Sequence, residues 1–303
     1  MTAINKKYIA EGFEQKLLDA AIYNLKDTGN ALRFNNFAYS IRELSRHILH
    51  RLSPDDEVKN CSWYKQTSND KSKITITRGD RADYAIRGGF DNNQLNSLGL
   101  QDEIKAIKSK LKKTIDQLSE YTHINPDTFG LTDNDIEAKA ADVISVFNDF
   151  FNEINSTRNT LIDKLKDQID REVMDETLYN TNSDIDCTAT HASIEEYEIQ
   201  KITITNITSI NVEIEVYGDV DVRQQYGSDG DQVRGDGYVT NITFPFKAVM
   251  QAPITKKLKF FKIDGDISFE VDTSPFYYYD DEEIERCIEQ EINNNTMMKK
   301  TFK

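Results

Sequence analysis

The sequence is poor in the residues that interrupt regular structure. Its 303 residues include 5 prolines, 13 glycines, 3 cysteines and 1 tryptophan. Such low Pro and Gly content excludes collagen-like and low-complexity architectures. No apolar run reaches the ~18 residues that a membrane helix needs, so no membrane span and no membrane partner is expected. The opening stretch, MTAINKKYIAEGFEQKLLDAA, is amphipathic and charged and lacks the apolar centre of a secretory signal. Cys61, Cys187 and Cys287 are odd in number and far apart. They form neither a disulfide nor a metal-ligand pattern, which suits a reducing compartment, and a cytoplasmic protein is expected. A Gly-rich phosphate loop, a Rossmann fingerprint, a His-Glu-x-x-His helix and a nucleophile elbow are all missing. No cofactor and no metal site is therefore assigned.

What the chain has in quantity is charge, mostly negative. Lys and Arg number 37 against 52 Asp and Glu, so 37 − 52 = −15. Residues 181–303 hold 12 basic and 23 acidic residues, or 12 − 23 = −11, which leaves −4 for residues 1–180. Residues 33–87 reverse the sign, with 11 basic to 7 acidic. A chain this acidic does not coat polyanions indiscriminately. If it touches nucleic acid it does so locally, and 33–87 is the candidate stretch. An ordinary solvated helix face is the other reading of the same charges.

At 38% hydrophobic residues the chain can build a core, and its length suggests about two domains. The first part has helical spacing. Ile9, Phe13, Leu17, Leu18, Ala21, Ile22 and Leu25 predict a helix over 7–26. Phe37, Ile41, Leu44, Ile48 and Leu52 predict one over 35–52, capped by Asn35 or Asn36 and stopped by Ser53-Pro54. The stretch 55–80 reads as polar and irregular, with a short helix over 80–86 ended by Gly88-Gly89. Helices follow over 101–121 and about 133–178, the latter so long that a break or a projecting end is expected. Near 180–195 the period changes from 3.6 to 2. Strands are expected over 199–205, 210–222, 238–250 with an interruption near Pro245, 258–263 and 267–271. The fold class is therefore α+β: an α-helical bundle over 1–182, then an antiparallel β-sandwich or curved sheet over 190–280. Residues 281–303 form an acidic, polar tail.

Few residues suggest chemistry. Gly-Ser-Asp-Gly-Asp at 227–231 begins like a calcium loop but lacks the later Glu and the flanking helices, so a turn is expected. Glu57-Val58-Lys59 matches half of a restriction-type nuclease site, but its neighbours Asp55 and Asp56 follow a proline stop rather than lying on a strand. Arg42 and His47 form an Arg-x4-His pair on the 35–52 helix. Metal-free RNA cleavage needs a group that moves a proton near neutral pH, which suits His, and a cation that offsets charge on the crowded phosphate, which suits Arg. Positions five apart on a helix are separated by about 140°, so Arg42 and His47 share no face unless the helix bends or pairs with a second copy. Arg46 and His50 are four apart and do share one. His123 follows the 101–121 helix and is a further candidate. A surface Arg and a surface His on an amphipathic helix explain the same spacing without any chemistry.

The resemblance lies in these and neighbouring residues. Asn30-Ala31-Leu32-Arg33-Phe34-Asn35-Asn36-Phe37-Ala38-Tyr39-Ser40-Ile41-Arg42-Glu43-Leu44, His47-Ile48-Leu49-His50-Arg51-Leu52-Ser53-Pro54-Asp55 and Cys61-Ser62-Trp63-Tyr64-Lys65 carry it in the first part. Leu118-Ser119-Glu120-Tyr121-Thr122-His123-Ile124 and Thr128-Phe129-Gly130-Leu131 continue it, and Tyr226-Gly227-Ser228, Gly235-Asp236-Gly237 and Phe244-Pro245-Phe246 add the β half. Over nearly its whole length the chain is similar to the predicted pPIWI-associating nuclease family of prokaryotic anti-phage defence and genomic conflict. The helical half also resembles HEPN domains, with their Arg-x4-6-His signature, dimeric assembly and metal-independent ribonuclease activity. It departs from them at Glu43, where a small polar residue is usual.

The resemblance implies a homodimeric nuclease acting on RNA, with DNA as the alternative substrate. Arg42 and His47 would be catalytic, and Arg46, His50 and His123 would bind substrate. The β domain would recognise a protein partner or phage trigger. The competing expectation is a non-catalytic adaptor, with the helical half as a dimerisation scaffold and the acidic β domain binding protein.

Overall fold

The computed structural model describes residues 4–65, 76–179, 182–255, 262–263 and 267–277. A single 3₁₀ turn, Lys6–Tyr8, precedes helices α1 (Phe13–Lys26), α2 (Arg33–Leu52), α3 (Asp55–Asn60), α4 (Arg78–Arg87), α5 (Asn92–Ser97), α6 (Gln101–Tyr121), α7 (Asp133–Tyr179) and α8 (Ser183–Asp186). Then come β1 (His191–Ile207), β2 (Asn211–Tyr226), α9 (Asp229–Arg234), β3 (Tyr238–Pro253), β4 (Ser268–Val271) and α10 (Ser274–Tyr277). The class is α+β, as expected, and the strands form one open antiparallel sheet in the order β1-β2-β3-β4. The acidic tail 281–303 and most of the strand expected over 258–263 lie outside the described residues. The chain divides into two compact units. One comprises Met1–Leu165, Ile204–Glu213 and Gln251–Asp264; the other comprises Lys166–Thr203, Ile214–Met250 and Gly265–Lys303.

In the first unit α2 packs against α1, α4 and α6. Its apolar stripe, Phe37, Ile41, Leu44 and Ile48, is buried against Leu18, Ala21 and Leu25 of α1 and Leu111, Ile115 and Leu118 of α6, among others. α2 starts at Arg33, two residues before the expected cap. The helix has no side-chain cap; just before it, the Asn30 Oδ1 accepts from the Leu32 N–H at 2.9 Å. Asn35 is buried within the helix, where its side-chain amide donates to the Tyr121 carbonyl at 2.9 Å. The polar stretch after Pro54 is not wholly irregular, because Asp55, Asp56 and Glu57 complement the N-terminal dipole of the short α3. A reciprocal Thr77–Asp80 capping box starts α4.

A break or a projecting end is expected of so long a helix, and α7 has no break. Residues 133–179 contain neither Pro nor Gly, so nothing in the stretch removes a helical hydrogen bond. Thr132 opens it, pairing with the Asp135 carboxylate at 2.6 Å and accepting from the Asp135 N–H at 3.3 Å.

Glu57 and Gly88-Gly89 together hold the β1–β2 turn within this unit. The Glu57 carboxylate accepts from the Ser209 N–H at 2.7 Å and from the Tyr84 hydroxyl at 3.0 Å. The Gly89 N–H donates to the Thr208 carbonyl at 3.0 Å. Gly88 has φ of 53°, and a Cβ on it would overlap Ile207, while one on Gly89 would overlap the Ser209 carbonyl. Burial pushes the Glu57 carboxyl up, but the hydrogen bonds from Ser209 and Tyr84 outweigh it and hold the group below its ordinary 4.5.

In the second unit the sheet has the period of two read from the sequence. Ile214, Val216, Val220 and Val222 of β2 and Phe244, Phe246, Ala248 and Met250 of β3 are buried on alternate positions. Gly218 holds an inward position of β2, where a Cβ would overlap the Glu198 carbonyl and press on the Phe246 ring. Pro245 does not interrupt β3. β4 pairs with 246–249 and ends at Val271, so the missing N–H falls where the ladder stops, and the Pro245 carbonyl accepts from the Asp272 N–H at 2.9 Å. The Gly-Ser-Asp-Gly-Asp stretch, expected as a turn, forms the start of α9, opened by a Ser228–Asp231 capping box and closed by Gly235 at φ of 82°.

Two outcomes test the turn anchor. Gly89→Ala should lower stability by about 3 kcal/mol in urea unfolding through overlap with Ser209, while Gly29→Ala, whose Cβ would make only an ordinary contact with Asp27, should change it little. A carboxyl held low by folding stabilises the fold above its unfolded value, and that stabilisation is lost as pH falls through the folded value. Wild type should therefore exceed Glu57→Gln in stability near neutral pH, with the gap closing below about 4.5. A gap unchanged between about pH 7 and pH 3 would contradict the assignment.

Candidate arginine–histidine site

Because Phe37, Ile41, Leu44 and Ile48 face the core, the 3.6-residue period turns Tyr39, Arg42, Glu43, Arg46 and His50 to the opposite side of α2. His47 lies at the edge of that face. Four of these residues form a continuous chain. The Arg42 Nε donates to the Ser119 Oγ of α6 at 3.1 Å, and its Nη1 to one Glu43 oxygen at 3.2 Å. The other Glu43 oxygen accepts from the Arg46 Nε at 2.9 Å. The Arg46 Nη2 lies 3.1 Å from the His47 Nε2. A guanidinium only donates, so a hydrogen bond here needs the tautomer whose Nε2 accepts and whose proton is on Nδ1. The His47 ring meets Phe13 of α1 edge-on, with centroids 4.8 Å apart. Phe13 and Tyr39 are 60% and 56% exposed, so two aromatic side chains flank the charged residues.

Arg42 and His47, about 140° apart around the helix axis, are therefore joined through Glu43 and Arg46 rather than by direct contact. Spacing alone showed neither Ser119 nor Phe13, because both come from other helices. Glu43, which departs from the expected small residue, lies between two guanidiniums. His50 is exposed. Partial burial lowers its pKa below the usual 6.5, the charges of Arg81, Arg46 and His47 lower it further, and Asp55 opposes them. His123 lies beyond the end of α6, exposed, with its carbonyl accepting from the Thr128 hydroxyl at 3.0 Å. The structure gives it no contact with the Arg42–His47 chain.

Other candidates are committed elsewhere. Glu57 anchors the β1–β2 turn, and Lys59 pairs with Asp56 at 3.5 Å on α3, so Glu-x-Lys is not presented from a strand. Cys61 is buried, and burial pushes its thiol up to about 12, which disfavours the thiolate. Among the described residues, no three or more His, Cys, Asp and Glu side chains are grouped to hold a metal ion. A cleft of about 190 Å³ lies between α2, α6 and α7, lined in part by Phe34, Gln117, Tyr121, Lys139 and Asp142. None of the five candidate residues lines it, so this concavity and the arginine–histidine chain are separate features. No described helix is long and apolar enough to cross a membrane.

Comparison with known proteins gives one consistent result. No curated protein and no solved structure matches the chain significantly. A family model described as "Predicted pPIWI-associating nuclease" matches residues 6–147, and a second model of the same description matches residues 154–277. With nearly its whole length matched by the two, the chain belongs to the predicted pPIWI-associating nuclease family.

Proposed function

We propose that this chain is a metal-independent endoribonuclease of a prokaryotic anti-phage defence system, with its reacting groups on the exposed face of α2 in a HEPN-like helical half. The observation that carries the reading is the Arg42–Glu43–Arg46–His47 chain. It presents two guanidiniums and an imidazole together on a solvent-facing surface. Glu43 alone would repel a phosphate. With an arginine on each of its oxygens the group retains an excess positive charge, and the carboxylate holds both forks in place.

In this mechanism Arg42 and Arg46 bind a phosphodiester, and Arg46 swings from the His47 Nε2 to the phosphate. His47 takes the proton from the ribose 2′-hydroxyl as its oxygen attacks the adjacent phosphorus. Arginine donors stabilise the added negative charge. The bond to the 5′-oxygen breaks, and His47 returns the proton to it, leaving a 2′,3′-cyclic phosphate and a 5′-hydroxyl. His50, whose pKa is lowered by burial and neighbouring cations, contacts substrate beside Arg46. His123 would reach the substrate from the end of α6. The exposed Phe13 and Tyr39 would stack bases or pack against a second copy, which would bring two Arg42/His47 sets together. DNA lacks the 2′-hydroxyl and would resist this chemistry.

The second reading is a non-catalytic adaptor, in which the acidic β half binds a protein partner or phage trigger and the helical half dimerises. It is favoured by the separation of Arg42 and His47 around α2 and by their absence from the cleft.

A cleavage assay on mixed RNA in EDTA decides between them. Wild type should yield cyclic-phosphate ends, and His47→Ala and Arg42→Ala should each lower the rate by about a hundredfold or more. RNA left intact by wild type, with and without Mg²⁺, would favour the adaptor. Cleavage that needs Mg²⁺ and survives both substitutions would overturn the proposed site.

A further inference from the structure

One face of α6 carries a row of cations that leads to the arginine–histidine chain. At about 100° per residue, Lys105, Lys108, Lys112, Asp116 and Ser119 fall within one narrow strip of the helix surface. The strip is about 21 Å long, fourteen residues at about 1.5 Å each. Its far end is Ser119, which holds Arg42. Beside it, Arg78 at the start of α4 reaches the Asp116 carboxylate at a loose 4.0 Å. Further along, Lys108 bonds to Asp83 of α4. Lys105 and Lys112 are exposed and have no hydrogen bond or ion pair among the described residues.

Asp116, within the row, faces the single cation Arg78, but two other carboxylates beside it are outnumbered. Asp83 is shared by Lys108 and by Arg87, the latter at 3.4 Å. Glu43 is shared by Arg42 and Arg46. Each of these two acids faces two cations, so each pairing leaves a positive charge over. Lys110, off the strip, is instead paired with a single acid, Asp149, at 2.6 Å. The row is single file, and it rises from a chain whose net charge is −15.

We infer that this face of α6 is a phosphate track that guides single-stranded RNA to Arg42 and His47. One file of cations fits one backbone rather than the two that a duplex presents. An unpaired strand can also turn its ribose so that the 2′-oxygen lies in line with the bond to be broken. The track extends the ribonuclease reading by naming its substrate class and the side from which the strand enters, and it rests on that reading.

The test measures binding separately from cleavage. Fluorescence anisotropy with a labelled 2′-O-methyl single-stranded RNA, which cannot react, gives Kd across a salt series. Lys105→Ala/Lys112→Ala should weaken binding about tenfold at low salt and reduce the slope of log K against log salt by about 1.4, at about 0.7 per phosphate contact. Lys164→Ala/Lys166→Ala, on exposed positions of α7, should change neither. On cleavable RNA the track variant should raise KM more than it lowers kcat. Unchanged Kd and slope in the track variant would overturn the inference, as would equal losses in the α7 control or tighter binding of a duplex. Track-dependent binding by a protein that never cleaves would uphold the track and reject the ribonuclease. Cleavage abolished by His47→Ala with binding indifferent to Lys105 and Lys112 would do the reverse.

Discussion

Phe37, Ile41, Leu44 and Ile48 leave water together on one side of α2, and their burial determines what the other side can present. Each contributes on the order of 1.5–3 kcal/mol. Turning α2 by one residue, about 100°, would carry part of this stripe into solvent and bring charged groups toward the core. The exposed row from Tyr39 to His50 therefore has one permitted orientation. Its ends are tied as well. At the first turn Arg33 donates to the Leu25 carbonyl at 3.2 Å and pairs with Asp133. Near the last turn Arg51 grips both oxygens of Glu14 at 2.9 Å and donates to the Tyr8 carbonyl at 2.7 Å. Just beyond it, the Ser53 hydroxyl donates to the Arg81 carbonyl, while the Arg81 guanidinium donates back to the Ser53 carbonyl, both at 2.6 Å. Packing sets the rotation of α2, and ionic clamps set its position along the axis.

These clamps change the meaning of the basic stretch 33–87. Arg33, Arg81 and Arg87 are buried, so they hold helices together and offer little to a ligand. Arg81 pairs with Asp55 at 2.7 Å, and Arg87 lies over the Trp63 ring at 4.1 Å while pairing with Asp83. Removing Asp83 would cost about 3–5 kcal/mol, because the buried Arg87 guanidinium would lose its ion-pair partner. Arg42, Arg46 and Arg78 of the same stretch remain partly or fully exposed. Composition counted all six alike, and burial divides them into structural and available groups.

The same division explains what the sequence could reveal. Helices with a wide apolar stripe, α1, α2 and α6, were legible from period alone, as was the alternation in β2 and β3. The continuity of α7 was legible too, in the absence of Pro and Gly, although helix length argued for a break or a projecting end. α3 escaped notice because one turn and a half carries no period, only an acidic first turn. Arg42 and His47 could be found by spacing, since both lie on one helix. Their connection could not, because it depends on rotamers of Glu43 and Arg46, on Ser119 from α6 and on Phe13 from α1. Glu57 is the converse case: its short motif suggested metal chemistry, yet its oxygens bind a backbone N–H and a phenol some distance away in sequence.

An acidic chain and a polyanionic substrate are compatible if the repulsion between them is weak where they meet. At physiological salt the Debye length is about 8 Å, so carboxylates farther away than that act feebly on a phosphate lying along α6. On the proposed track the nearby carboxylates are Asp116, which faces Arg78, and Glu43 and Asp83, which each face two cations. The carboxylates in the row have a second effect. They hold long, flexible arginines and lysines in fixed geometry before any ligand arrives, which lowers the entropy lost on binding. A cation row without acids would attract phosphate more strongly but would hold it less definitely. Residues 181–303 carry the opposite balance in sequence, with 12 basic and 23 acidic residues.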